Sequence, residues 1–141
     1  MTSQVLTPIV ARCNCGQFSI ELEGEPKFVN ACACRNCQRQ GSGPLGVGVF
    51  FPKQALKSQT GTSKAYSRST DKGHQATQHF CPECGSEIYW TTGAVPDCVG
   101  VSWGAMEDPK QFKPNWVVWA RSLPDWLEIK NIKHFDTQPE N

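Results

Sequence analysis

Apolar and polar positions alternate along this chain in short runs, and the runs have the length of strands. Phe18-Ser-Ile-Glu-Leu-Glu is the clearest, with one row of side chains for each face of a half-buried strand. Ile9-Val-Ala-Arg-Cys, Phe28-Val-Asn-Ala-Cys, Lys64-Ala-Tyr-Ser, Cys98-Val-Gly-Val-Ser-Trp and Asn115-Trp-Val-Val-Trp-Ala-Arg also read as strands. In Leu45-Gly-Val-Gly-Val-Phe-Phe the glycines point to a close backbone approach or a bulge. Thr77-Gln-His-Phe-Cys enters a Cys-x-x-Cys turn and Glu87-Ile-Tyr-Trp-Thr leaves it, which predicts a hairpin with a cysteine knuckle at its tip. Helical signals are brief: Arg35 to Gln40, stopped by Gly41, Gly43 and Pro44; Pro52 to Lys57, with Gly61 after it; and a start at Asp108-Pro109. Ser67 to Gly73 reads as a loop, and Leu123-Pro-Asp-Trp as a turn carrying a buried aromatic. No segment keeps a helical period beyond about 12 residues. The expected fold is mainly β, with few short helical turns.

A chain of 141 residues suits one domain, here 1-141 with a core at about 9-136 and loose ends at Met1 to Pro8 and from about Thr137. Apolar residues make up 38% and charged residues 19%, a globular balance. With 14 basic and 13 acidic residues the net charge is +1, so no electrostatic footprint for nucleic acid is present. No apolar run approaches the length of a membrane span. The start, Met1 to Arg12, lacks a basic stretch followed by an apolar core, so no export is expected and the expected location is cytoplasmic.

The eight cysteines change the picture most. In a reducing compartment they call for a role other than disulfides, and metal binding is the usual one. Zinc on four thiolates needs sulfurs roughly 3.8 Å apart, by geometry from tetrahedral bonds near 2.3 Å. Cys81-Pro-Glu-Cys84-Gly85 has the form of a ligand turn, since Pro fixes one dihedral and Gly supplies a positive φ. Cys13-Asn-Cys15-Gly16 offers a second pair, and the two pairs together make a closed structural site. The competing reading is buried or redox thiols. Cys32, Cys34 and Cys37 then remain as a set of three. Three protein ligands leave a fourth position for water or substrate, the mark of catalytic zinc. Two alternatives stand beside that: Cys98 closes the site, or the three thiols carry no metal. Cys98 sits in an apolar strand, where a core role suits it.

These motifs resemble the glutathione-dependent formaldehyde-activating enzyme and centromere protein V family. The matching stretches are Cys13-Asn-Cys15-Gly16, Cys32-Ala-Cys34-Arg-Asn-Cys37-Gln-Arg-Gln-Gly41, Phe80-Cys81-Pro-Glu-Cys84-Gly85-Ser86 and Ser122-Leu-Pro124-Asp-Trp126, within about residues 10 to 135. The resemblance implies an Mss4-like fold of antiparallel sheets with a zinc-ribbon-type hairpin. It implies a structural zinc on Cys13, Cys15, Cys81 and Cys84 and a catalytic zinc on Cys32, Cys34 and Cys37. The implied reaction is that of a carbon–sulfur lyase resembling S-(hydroxymethyl)glutathione synthase, with a small thiol such as glutathione adding to an aldehyde. The chain departs from the family at the middle of each Cys-x-Cys, where His is frequent and Asn14 and Ala33 stand here.

A different class of function, a non-catalytic zinc-stabilised binding module, uses the same fold. Other candidates are weaker in type. Arg35 and Arg39 would share a helix face beside the ligands, for substrate carboxylates or for the zinc thiolates, or simply as solvated surface charge. His74 and His79 are possible proton carriers, with a structural role the commoner one for a strand His. The Trp residues are expected in the core, with Trp103 or Trp119 as a pocket wall.

Overall fold

The computed structural model describes residues 8–139. In chain order its strands are β1 (Ile9–Arg12), β2 (Ser19–Leu22), β3 (Phe28–Cys32), β4 (Gly46–Pro52), β5 (Leu56–Thr60), β6 (Lys64–Ser69), β7 (Gln75–Phe80), β8 (Glu87–Thr92), β9 (Cys98–Ser102), β10 (Trp116–Val118) and β11 (Lys133–His134). The α-helix is α1 (Arg35–Gly41), and four 3₁₀ turns complete the helical content. The mainly β expectation holds. β1-β2-β5 form a three-stranded antiparallel sheet, and β11-β10-β3-β4-β9-β8-β7-β6 form an eight-stranded one. The large sheet is antiparallel except at one edge, where β10 runs parallel to both β3 and β11.

Alternation explains how the sheets meet. Val29, Val49, Phe51, Val99 and Val101 project from one face of the large sheet, and with Phe18, Ile20 and Leu22 of the small sheet they form the core. Each is at most 5% exposed. The opposite face is open and follows from the register. Cys32 pairs with Gly46, Asn30 with Gly48, Gly48 with Ser102, Gly100 with Trp90, Trp90 with Gln78, and Ala76 with Arg68. Cross-strand partners share a face, so this row lies on the side away from the core.

The glycines of β4 and β9 have the close approach their sequence suggests. The Trp90 indole lies across both strands, and a Cβ on Gly48 or Gly100 would sit 2.6 Å from a ring carbon. Gly48→Ala is therefore expected to destabilise the protein by about 1–3 kcal/mol, with an altered tryptophan emission. Urea unfolding followed by fluorescence measures both.

Four segments differ from their sequence reading. Ser67 to Gly73, read as a loop, is strand as far as Ser69, because β6 pairs with β7 through Ser69↔Gln75. Pro52 to Lys57 gives a 3₁₀ turn only over Lys53–Ala55, and β5 follows. β5 is an outer strand exposed after Leu56, so it carries no apolar alternation. The strand expected over 115–121 stops at Val118, because Trp119 takes a left-handed conformation (φ 57) and starts a 3₁₀ turn. Trp126, expected buried, is 76% exposed. The Pro124–Leu127 turn, closed by Leu127 N–H donating to Pro124 O at 3.1 Å, leaves Trp126 outside the core. The loose ends expected at 1–8 and from about 137 fall mostly outside the described residues. Within them, Thr137 O still accepts from Trp119 N–H at 3.3 Å.

Candidate functional site

The β7–β8 hairpin carries the Cys81–Cys84 knuckle. Gly85 N–H donates to Cys81 O at 2.8 Å with Gly85 at φ 82, and Cys81 N–H donates to Ser86 O at 2.9 Å. The N–H groups of Glu83 and Cys84 point at Cys81 Sγ, at 3.4 and 3.5 Å. The turn after β1 brings in the other pair. Cys13 Sγ lies 3.6 Å from Cys15 Sγ, and Cys15 Sγ lies 3.7 Å from Cys81 Sγ. All four sulfurs fall within 4.8 Å of one another. Those spacings match a tetrahedral thiolate site, where roughly 3.8 Å is needed.

Hydrogen bonds support negative charge on Cys81 and Cys84, whereas Cys15 is raised to about 12: the Gln17 backbone N–H lowers it, but burial and the thiols of Cys13, Cys81 and Cys84 outweigh that. Burial pushes the Cys81 thiol up, but the Gln17 amide at 2.9 Å and the knuckle N–H groups outweigh it, and the net shift is downward. The Ser86 hydroxyl leads the groups that lower Cys84 to about 5. Gln17 was not visible as a participant in the sequence. It is fixed by two hydrogen bonds to Thr62, at 2.7 and 3.0 Å.

The second cluster forms at the end of β3. Strand β3 delivers Cys32, Cys34 caps α1 by accepting from Cys37 N–H at 3.4 Å, and Cys37 lies in the first helical turn. The three sulfurs lie within 4.8 Å of one another. The Cys32 and Cys37 thiols, with the N–H groups of Cys37 and Asn36, lower Cys34 to about 2. The Cys34 thiol raises Cys32 to about 11, and the Cys32 and Cys34 thiols together raise Cys37. A single negative charge is thus easily held, whereas three need a cation among them. The soft donors, their spacing and this charge balance all fit a thiophilic divalent ion.

Both clusters reach one cleft, to which the four-cysteine cluster contributes Cys13. Cys32 and Cys37 line a cleft of about 820 Å³ over the open face of the large sheet. Trp90 and Phe50 floor it, with ring centroids 5.8 Å apart in an edge-to-face contact. Arg68, Gln78, Glu87 and Ser102 line it farther along the sheet. Burial raises the Glu87 carboxyl, opposed by the Ser102 hydroxyl, the Gln78 amide and the Arg68 charge. Ser102 Oγ donates to Glu87 Oε1 at 3.2 Å.

The structure brings together both cysteine sets that the spacing predicts. Cys98 joins neither; it is buried in β9, as its apolar surroundings suggest. Arg35 and Arg39 do share α1, but they border a separate groove with Pro124 and Trp126 rather than the cleft. His79 stacks on Tyr89 at 4.4 Å, and burial lowers its pKa, as for a structural histidine. Trp103 is a cleft wall, whereas Trp119 is not among the lining residues. Trp90, Arg68 and Gln78 gave no signal in the sequence, because the cleft is made by pairing strands distant along the chain.

A family model described as glutathione-dependent formaldehyde-activating enzyme matches residues 8–122. Among solved structures, a crystal structure of a Rhodobacter sphaeroides protein aligns with a TM-score of 0.58 at 19% identity, covering 89% of this chain and 98% of that one. That likeness is one of fold. A comparison with curated proteins finds no match.

Proposed function

The chain belongs to the glutathione-dependent formaldehyde-activating enzyme family, and on that premise we propose that it is a zinc-dependent carbon–sulfur lyase joining a small thiol such as glutathione to an aldehyde. The observation that carries this reading is the difference in ligand number: four clustered sulfurs in one set, enough for a tetrahedral ion, and three in the other, beside a cleft that could admit a fourth ligand. Cys13, Cys15, Cys81 and Cys84 would hold a structural zinc, and Cys32, Cys34 and Cys37 a catalytic one. A zinc ion held by these three thiolates would supply Lewis acidity that favours the thiolate form of a substrate thiol.

The chain's own residues do the rest. Cys34 Sγ accepts from Cys37 N–H, which supports negative charge on that sulfur. Trp90 and Phe50 give the substrate an apolar floor that excludes water, and Trp103 forms a wall. The overall change is conservative in atoms: the sulfur forms a bond to the carbonyl carbon, the carbonyl π bond opens, and the thiol proton ends on the new hydroxyl. In reverse the carbon–sulfur bond breaks and releases the aldehyde.

Exchange spectroscopy by NMR with glutathione and formaldehyde tests the reaction. The expected result is exchange of the hydroxymethyl group above the uncatalysed rate when the protein carries two zinc ions per chain. An unchanged rate with both ions present would remove the formaldehyde assignment.

A further inference from the structure

The Asn30 amide is held at one end and free at the other. Trp116 Nε1–H donates to Asn30 Oδ1 at 2.7 Å. An indole nitrogen is a donor only, so the amide atom it meets is the oxygen, and Nδ2 is the end left over. The Trp116 ring is itself fixed, stacked on Phe28 at 5.5 Å, with Phe28 stacked on Phe50 at 4.6 Å. A flipped amide would set two donors against each other, so the orientation is locked. Among the described residues Asn30 Nδ2 has no hydrogen-bond partner, and the buried atoms in that condition are Arg68 Nε and Gln78 Oε1. Asn30 Nδ2 is therefore accessible, and Asn30 lines the cleft.

The free end sits beside the three-cysteine cluster. Asn30 and Cys32 alternate along β3, so both project from the open face, about 6–7 Å apart along the strand. Their partners on β4 are Gly48 and Gly46. Cys37 Cβ lies 3.6 Å from where a Cβ on Gly46 would stand, and the Trp90 ring lies over Gly48. Asn30, Cys32, Cys37 and Trp90 thus border one end of the cleft. Ser102 and Glu87, on β9 and at the start of β8, stand two and three strands from β3.

We propose that Asn30 is a catalytic residue, whose Nδ2–H donates to the aldehyde oxygen as the thiol sulfur attacks. This rests on the lyase function proposed above and supplies a donor for the oxygen, where negative charge develops. The sulfur lone pair forms the bond to carbon, and the carbonyl π pair moves to the oxygen, which Asn30 holds as an alkoxide. The proton given up by the thiol returns to that oxygen through solvent. In reverse, Asn30 holds the same oxygen as the hydroxyl proton leaves and the carbon–sulfur bond breaks. A neutral amide suits the place. It donates without pairing with the thiolates, whereas a carboxylate there would repel both the thiolates and the alkoxide. Trp116 is a positioning residue, acting through Asn30 Oδ1.

The test pairs catalysis with binding of two stable probes. S-Acetylglutathione carries a carbonyl oxygen on the carbon next to sulfur, and S-ethylglutathione has the same length without it. Hydroxymethyl exchange by the zinc-loaded full chain is expected to fall about a hundredfold or more in Asn30→Ala and in Asn30→Asp. Asn30→Asp keeps the acceptor for Trp116 and loses the donor. Trp116→Phe, which removes the N–H and releases the amide, is expected to lose about tenfold. Calorimetric titration is expected to show the acetyl probe bound about fivefold tighter than the ethyl probe by the parent. Both Asn30 variants are expected to erase that preference while holding S-ethylglutathione within about twofold of the parent. Circular dichroism and zinc content show that each variant is folded and loaded. Loaded variants that exchange within about twofold of the parent overturn the role of Asn30 and leave the lyase assignment standing. Exchange that falls only as far as S-ethylglutathione binding falls makes Asn30 a structural residue and overturns the role as well. A parent without exchange removes the lyase assignment, and the titration then decides Asn30. An acetyl preference that Asn30→Ala erases supports the donor, whereas no preference, or one that survives the substitution, overturns it.

Discussion

Cys81→Ser is expected to abolish the cooperative fold. The Cys81 side chain is fully buried, and its sulfur takes the Gln17 amide at 2.9 Å and two knuckle N–H groups while lying 3.7 Å from Cys15 Sγ. Serine keeps the size and removes the soft ligand. In zinc peptides a structural site contributes about 10–16 kcal/mol of apparent binding free energy. A whole domain is stable by only about 5–15 kcal/mol, so weakening this site removes most of what holds the fold. The cluster ties the turn after β1 to the β7–β8 hairpin, and thus joins the small sheet to the large one. The measurement is thermal unfolding by far-UV circular dichroism, with zinc counted on the same sample. The unsubstituted chain is expected to melt in one transition that moves to much lower temperature after prolonged chelation. A Cys81→Ser protein that melts like the parent and keeps its metal would remove the structural role assigned to this cluster.

Cys37→Ser is expected to do the opposite: to remove activity and leave the fold. Cys37 is half-buried on the short helix α1 and lies outside the hydrophobic core cluster. Its loss opens the three-sulfur set and lets water compete at the metal. Exchange is expected to fall by about a thousandfold or more, on the scale seen when a group stabilising the reacting charge is removed. Zinc content is expected to drop by one ion per chain, with a melting temperature within a few degrees of the parent, about 1 kcal/mol or less for a domain this size. Retained exchange, or an unchanged metal count, would remove the open-site reading. The pair of substitutions tests the division of labour directly, since the same chemical change is predicted to unfold the protein at one cluster and to silence it at the other.

Much of this site was legible before any fold was known. Ligand turns are local objects: Cys81-Pro-Glu-Cys84-Gly85 closes on itself through its own backbone, and Cys32 to Cys37 gathers three sulfurs across one strand end and one helical turn. The alternation in β2 and the glycines in β4 are local in the same sense, because the period and the missing Cβ are present in the residues themselves. β5 was less legible, since an outer strand that buries only its first residues has no periodic stripe to show. Trp126 was misread for a related reason. A large aromatic beside proline resembles a core anchor, yet whether it is covered depends on what packs against the turn, and here that side is open.

Composition, period and cysteine spacing were enough to establish a mainly β chain with two thiol clusters, because each of those features is encoded within a few residues. The cleft belongs to the tertiary structure alone. Arg68, Gln78, Glu87, Trp90 and Ser102 come to line one cleft with Cys32 and Cys37 only through the strand order β3-β4-β9-β8-β7-β6. That order is a choice among many ways of pairing the same strands. It is made by burying Val49, Phe51, Val99 and Val101 on one face, which leaves the polar and glycine row on the other. The reactive sulfurs were therefore readable one turn at a time, whereas the surface that selects what reaches them exists only once the sheet has closed over its core.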